Sequence, residues 1–86
     1  MSISKTFQRF RALLSRAAQI HLRIEREYAQ KRPDWVRLLR LKKIRLAIKD
    51  QLMRLARSSG APLEPVDLER AVVRVASRTR SQQGQN

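Results

Sequence analysis

His21 is the one imidazole in a chain of 86 residues, and it stands four residues before Glu25 in a stretch that reads as helix. Residues four apart share a helix face, so the imidazole and the carboxylate are neighbours. With Arg45 beside them they make a polar cluster. Two kinds of chemistry suit such a cluster: a titrating or ligand-binding site, and a polar layer that fixes the register of a helix pair. The register-fixing role is the better attested and is the one expected. Catalysis asks for more, because a general base needs a nucleophile and a cleft. Ser15 lies near His21 but falls on an outward helix position. The chain has no Gly-rich phosphate loop, no H-E-x-x-H and no paired carboxylates poised together. It has no Cys, which excludes disulfides, thiolate metal sites and a Cys nucleophile. A lone His makes a poor metal ligand set. The expectation is a protein that is not an enzyme, with no catalytic residue, metal or cofactor.

The other chemistry belongs to cations. Lys and Arg number 20 against 7 acidic residues, a net charge of +13. Solubility asks for a magnitude of only about 2 to 8, and self-repulsion on this scale opposes compaction, so the excess points to a polyanion. Residues 1–32 and 33–57 each carry +6, and residues 58–86 only +1. The candidate phosphate contacts are Arg9, Arg16, Arg23 and Arg26 in the first part and Arg37, Arg40, Lys43, Lys49, Arg54 and Arg57 in the second. No helix-turn-helix, zinc finger or RNA-recognition signature accompanies them. The expected partner is nucleic acid, DNA or RNA, or another polyanion, recognised by charge and shape with little sequence specificity.

The elements that must position these residues follow from apolar spacing. Phe7, Phe10, Leu14, Ala17, His21, Ile24 and Tyr28 alternate steps of three and four, with Leu13 and Ile20 widening the stripe. Trp35 to Arg57 has no Gly or Pro, and Leu38, Leu41, Arg45, Ile48, Leu52 and Leu55 form a second stripe. This second stretch looks like the one around which the chain is organised. Pro33 separates the two and Asp34 is a natural N-cap. So short a connection favours antiparallel neighbours. Gly60 and Pro62 end the second helix, and Pro65 opens a third with the short apolar face Leu68, Ala71, Val72 and Val75.

The fold class expected is all-α: an antiparallel two-helix hairpin, coiled-coil-like, plus a short C-terminal helix. The hairpin spans 1–57, with helices at about 5–30 and 35–57; 58–64 is a linker, 65–78 the short helix and 79–86 a disordered tail. In this register His21 and Arg45 occupy neighbouring core layers, and Glu25 is positioned to reach Arg45 or Lys42.

Val36, Leu39, Leu46 and Met53 make a further stripe opposite the seam of the second helix. It calls for cover from the third helix or from another subunit, which makes a homo-oligomer or an adaptor for an acidic protein the alternative function. A membrane-surface role for Phe7, Phe10, Leu13, Leu14 and Ile20 with Arg9, Arg11 and Arg16 is not expected, because the same face is needed for the hairpin core. No apolar run approaches the ~20 residues of a bilayer span. Arginines interrupt Phe7 to Ile20, against a secretory signal. Residues 1–23 are basic, amphipathic and free of acids, as a transit peptide is, but their spacing runs unbroken into the acidic turn that follows.

The run Leu41-Lys42-Lys43, then Leu46, then Ile48-Lys49-Asp50 resembles the second helix of the YdcH-like family of small bacterial proteins. That helix reads Leu-Lys-Lys, two residues, Leu, one residue, Leu-Lys-Asp. His21, Ile24, Glu25, Glu27 and Tyr28 match the family's first-helix pattern of His, two residues, Leu, acid, one residue, acid, Ile. The resemblance covers residues 7–56 and implies a helical hairpin in a bacterial, cytoplasmic protein; it brings no established activity. The family carries more acids in both helices, so a polyanion partner rests on this chain's own charge. A weaker similarity, at the level of analogy, is to small basic coiled-coil DNA clamps of bacterial nucleoids.

Overall fold

The computed structural model describes residues 5–83. Three helices account for most of them: α1 (Lys5–Tyr28), α2 (Trp35–Ser58) and α3 (Pro65–Gln83), with no strand among the described residues. The helix ends follow from local chemistry. Asp34 caps α2, its Oδ1 accepting from the Arg37 N–H at 3.1 Å. At the far end Gly60 takes φ of 80°, where a side chain would be strained. The Gly60 N–H donates to the Arg57 carbonyl and the Ala61 N–H to the Ala56 carbonyl. Both bonds are those of a Schellman cap, and they satisfy carbonyls that the helix leaves without partners. α1 stops two residues short of the expected end at 30, its last turn tightening through a bond from the Gln30 N–H to the Glu27 carbonyl.

α1, rather than α2, is the hub. It makes the main packing contacts with both other helices. One core cluster joins Ala17, Ile20 and Ile24 of α1 to Leu38, Leu41, Ile48 and Leu52 of α2 and to Leu68 and Val72 of α3. A second, smaller cluster joins Ala18 and Leu22 of α1 to Ala76 and Val75 of α3. The consecutive residues Ala17 and Ala18 thus face different clusters. Neither carries more than a methyl group, so both neighbours approach the α1 backbone closely.

Three expectations need correcting. α3 does not dock on Leu39 and Leu46 but on α1, because Ala18 and Leu22 supply a flat second face there. α3 also continues to Gln83, five residues past the expected end at 78. Residues 79–83 contain no Gly or Pro, the Thr79 hydroxyl donates to the Val75 carbonyl, and Arg80 reaches Glu25 on α1. Of the expected disordered tail, 79–83 is therefore helical, and 84–86 lies outside the described residues. The apolar stripe of α1 also weakens at its ends: Phe7 and Tyr28 are about half exposed (50% and 47%) where a core position was expected.

If α1 is the hub, its small residues are the sensitive ones. Ala18→Leu should cost about 1–3 kcal/mol by overpacking the α1–α3 contact. Leu46→Ala, on the solvent side of α2, should change stability by only about 0.5 kcal/mol or less. Urea midpoints of the two variants check this.

Candidate functional site

Two polar clusters tie the helices together. In the first, Glu69 of α3 receives Arg45 and Lys49 of α2, one on each carboxylate oxygen. Glu25 was expected to reach Arg45 or Lys42; the structure gives Arg45 to Glu69, and Lys42 lies over the Tyr28 ring at 5.2 Å. Arg45 and Lys49 are both half-buried, and burial lowers the pKa of each, with Arg45 adding its repulsion to the effect on Lys49. The Arg45 Nε is buried without a hydrogen-bond partner. In the second cluster Glu25 is held by Arg80 of α3, with His21 Nε2 at 3.8 Å. Burial lowers the His21 pKa from its ordinary value of 6.5, and the Arg45 and Arg80 charges lower it further. Glu25 pulls the other way, but Arg80 already engages it. His21 and Glu25 thus stay together as expected, while Arg45 belongs to the neighbouring cluster.

The side of the α1–α2 pair away from these clusters is different in kind. Near the inter-helix turn a groove of about 520 Å³ is walled by Arg23 and Arg26 of α1 and Arg37 and Arg40 of α2. Near the other end a cleft of about 290 Å³ lies between Arg9 and Arg54, with Leu13, Gln51 and Leu55 lining it. Helix periodicity joins the two. Arg9, Arg16 and Arg23 recur every seven residues on α1, as do Arg37, Ile44, Gln51 and Ser58 on α2. Each step of seven is about 10.5 Å of helix. The two openings therefore lie along one side of the α1–α2 seam, each with an arginine on either bank.

Glu27 forms part of the groove floor. It is 8% exposed, the one charged residue among the buried ones of the described chain, and Arg37 stands 3.6 Å from its Oε1, which has no hydrogen-bond partner. Sequence reasoning passed over Glu27, although it continues the heptad stripe of Leu13 and Ile20 and so was bound to face inward. Glu69 was missed for another reason: it lies 24 residues from Arg45 along the chain.

The ten expected phosphate contacts divide accordingly. Arg9, Arg16, Arg23, Arg26, Arg37, Arg40 and Arg54 are exposed and on the groove side, Arg54 also meeting Asp50 at 3.1 Å. Lys43 and Arg57 are exposed but fall on the outer face of α2. Lys49 is turned to Glu69. In the expected docking seam, Val36, Leu39 and Leu46 are 63%, 57% and 68% exposed, whereas Met53 is half-buried against the core. Among the described residues no group of three or more His, Cys, Asp or Glu is placed to hold a metal ion, and no helix is long and apolar enough to cross a membrane. No family model, curated protein or solved structure matches the chain.

The polar clusters carry two expectations. Glu69→Gln should cost about 1–2 kcal/mol, because half-buried Arg45 and Lys49 lose their shared anion, as a urea midpoint would read. His21 has a lower pKa in the folded chain than the 6.5 of the unfolded one. Its contribution is intact above pH 6.5 and is lost as pH falls through the folded value, since the unfolded chain then binds the extra proton. His21→Gln should remove that part of the acid-side loss, leaving a flatter stability profile below pH 6.5.

Proposed function

We propose that this chain is a small, non-enzymatic helical module that binds nucleic acid through its phosphates, with little sequence specificity. The observation that carries the reading is the pair of openings along the α1–α2 seam, each with arginines on both banks. In support, the cations offered there are mostly unopposed, while the clusters on the other side of the pair use their carboxylates to hold helices together. Guanidinium groups suit phosphate, since each presents a planar fork of donors. The finer architecture belongs to the same proposal: α1 and α2 as an antiparallel, coiled-coil-like hairpin, with α3 as a strut behind it. At the turn end, Trp35 meets Tyr28 edge to face with ring centroids 6.3 Å apart, and Arg37 of α2 approaches Glu27 of α1. At the other end Thr6 and Phe10 of α1 share a cleft with Leu55 and Ala56 of α2. Contacts at both ends fit opposite helix directions. The resemblance to the YdcH-like family, and the cytoplasmic setting it implies, fit the hairpin and are part of the proposal.

A salt series tests it. With about six phosphates neutralised, log affinity for duplex DNA or RNA should fall against log salt with a slope of about −5. Arg23→Gln and Arg40→Gln should each weaken binding on all sequences alike and reduce the slope by about one. A salt-insensitive affinity, or one no better than for a polyanion such as polyglutamate, would overturn the reading.

A further inference from the structure

The outer face of α2 lies opposite its buried seam. Val36, Leu39, Lys43, Leu46, Asp50 and Met53 follow one another in steps of three and four there. Such steps make a heptad seam, and a seam is a surface for a second helix. α3 leaves it uncovered: Val36, Leu39 and Leu46 are among the most exposed large apolar side chains in the described chain. Arg37 and Arg40 of α2 are rotated from this line by about a quarter of a turn or more, while Arg54 stands at its edge beside Asp50. One face is thus open to a polyanion while the other remains open to a helix.

We propose that a second copy of this chain covers the line, α2 against α2 in antiparallel sense, and that the two copies pair once their charge is neutralised. The charges within the line select the partner and its direction. Lys43 and Asp50 occupy equivalent positions one heptad apart. In a parallel pair each would meet its own like in the second copy. In an antiparallel pair Val36 lies level with Met53, and Lys43 lies level with Leu46. Lys43 is then about one helical turn from Asp50 of the second copy, within reach of a lysine side chain. Asp50 is 58% exposed at its side chain even with Arg54 beside it, so it can accept that contact. An acidic partner would instead be matched by a line without a carboxylate.

Net charge and contact size say when pairing occurs. Two chains of +13 repel each other. From Val36 to Met53 the line is about 26 Å long, a single helix–helix contact, and stable interfaces bury more than about 1,200 Å². In dilute low-salt solution the chain is therefore monomeric. On a shared polyanion the repulsion is cancelled and the effective concentration rises towards the millimolar range. The pairing itself stands apart from the proposed function; only its trigger, the polyanion, rests on that reading. The consequence is cooperative loading along nucleic acid.

Sedimentation equilibrium of the full chain tests the pairing without any ligand. It should be monomeric at about 50 mM salt and shift to dimer at about 1 M, where the screening length falls to about 3 Å. The uncharged double variant Leu39→Gln/Leu46→Gln should stay monomeric at both, with an unchanged melting midpoint. Asp50→Lys should weaken the high-salt dimer several-fold, and Lys43→Asp added to it should restore the dimer. On duplex DNA the native chain should bind with a Hill coefficient above one. The double Gln variant should keep the single-site affinity and lose the cooperativity. A chain monomeric at about 1 M salt overturns the pairing, as does a double Gln variant that still dimerises. An Asp50→Lys dimer of full strength overturns the antiparallel direction. A salt-induced dimer with non-cooperative loading overturns the coupling. A salt-induced dimer that does not bind DNA at all leaves the pairing standing and overturns the groove reading and the trigger instead.

Discussion

Ala17 and Ala18 are consecutive on α1 and at most 1% exposed, so a single helix passes between two neighbours with almost no side chain in the way. That close approach is what the rest of the structure depends on. In a chain of this charge the apolar surface is limited, and burying it once would cover only a hairpin. With α1 in the middle the same helix is used on two faces. Leu68 and Val72 of α3 then complete the core that α1 and α2 begin, and one contiguous interior serves all three helices.

Four of the seven acidic residues are engaged where elements begin or meet. Asp34 caps α2, Glu69 holds Arg45 and Lys49, Glu25 holds Arg80, and Glu27 lies under Arg37. The first three of these link or shape elements, and two of them fasten α3. Anions are therefore concentrated where helices meet, and the arginines along the α1–α2 groove are left with few of them. Seven exposed arginines thus gather beside the two openings along the α1–α2 seam.

Punctuation was legible because its causes are local. Asp34, Gly60 and Pro65 mark helix ends through their own backbone preferences, and they mark them in the structure. So was the α1–α2 core, since Ala17, Ile24, Leu38, Leu41, Ile48 and Leu52 recur at helical spacing and are all buried. The docking of α3 was not legible. Ala18 and Leu22 are too few to register as a second stripe beside the stronger one, and Leu39 and Leu46 looked like the larger apolar target. Size was a poor guide because contact depends on how closely backbones approach, and small residues decide that. The groove was half legible: its arginines were named, but which of them share a side depended on where α3 and Glu69 take up the rest. Lys49 shows the difference, since nothing in its own neighbourhood tells that α3 will claim it.

α3 is attached less firmly than it looks. Leu68 and Val72 anchor its N-terminal half in the main core, but among the described residues its C-terminal half meets α1 through the small cluster of Ala18, Leu22, Val75 and Ala76 and through the Arg80–Glu25 ion pair. A thin apolar contact held at its margins by charge is where a small domain opens first, well before its main core melts. Such an opening would bare the back of α1 and free Arg80 and Glu25 together, so the molecule carries a built-in breakpoint along α3.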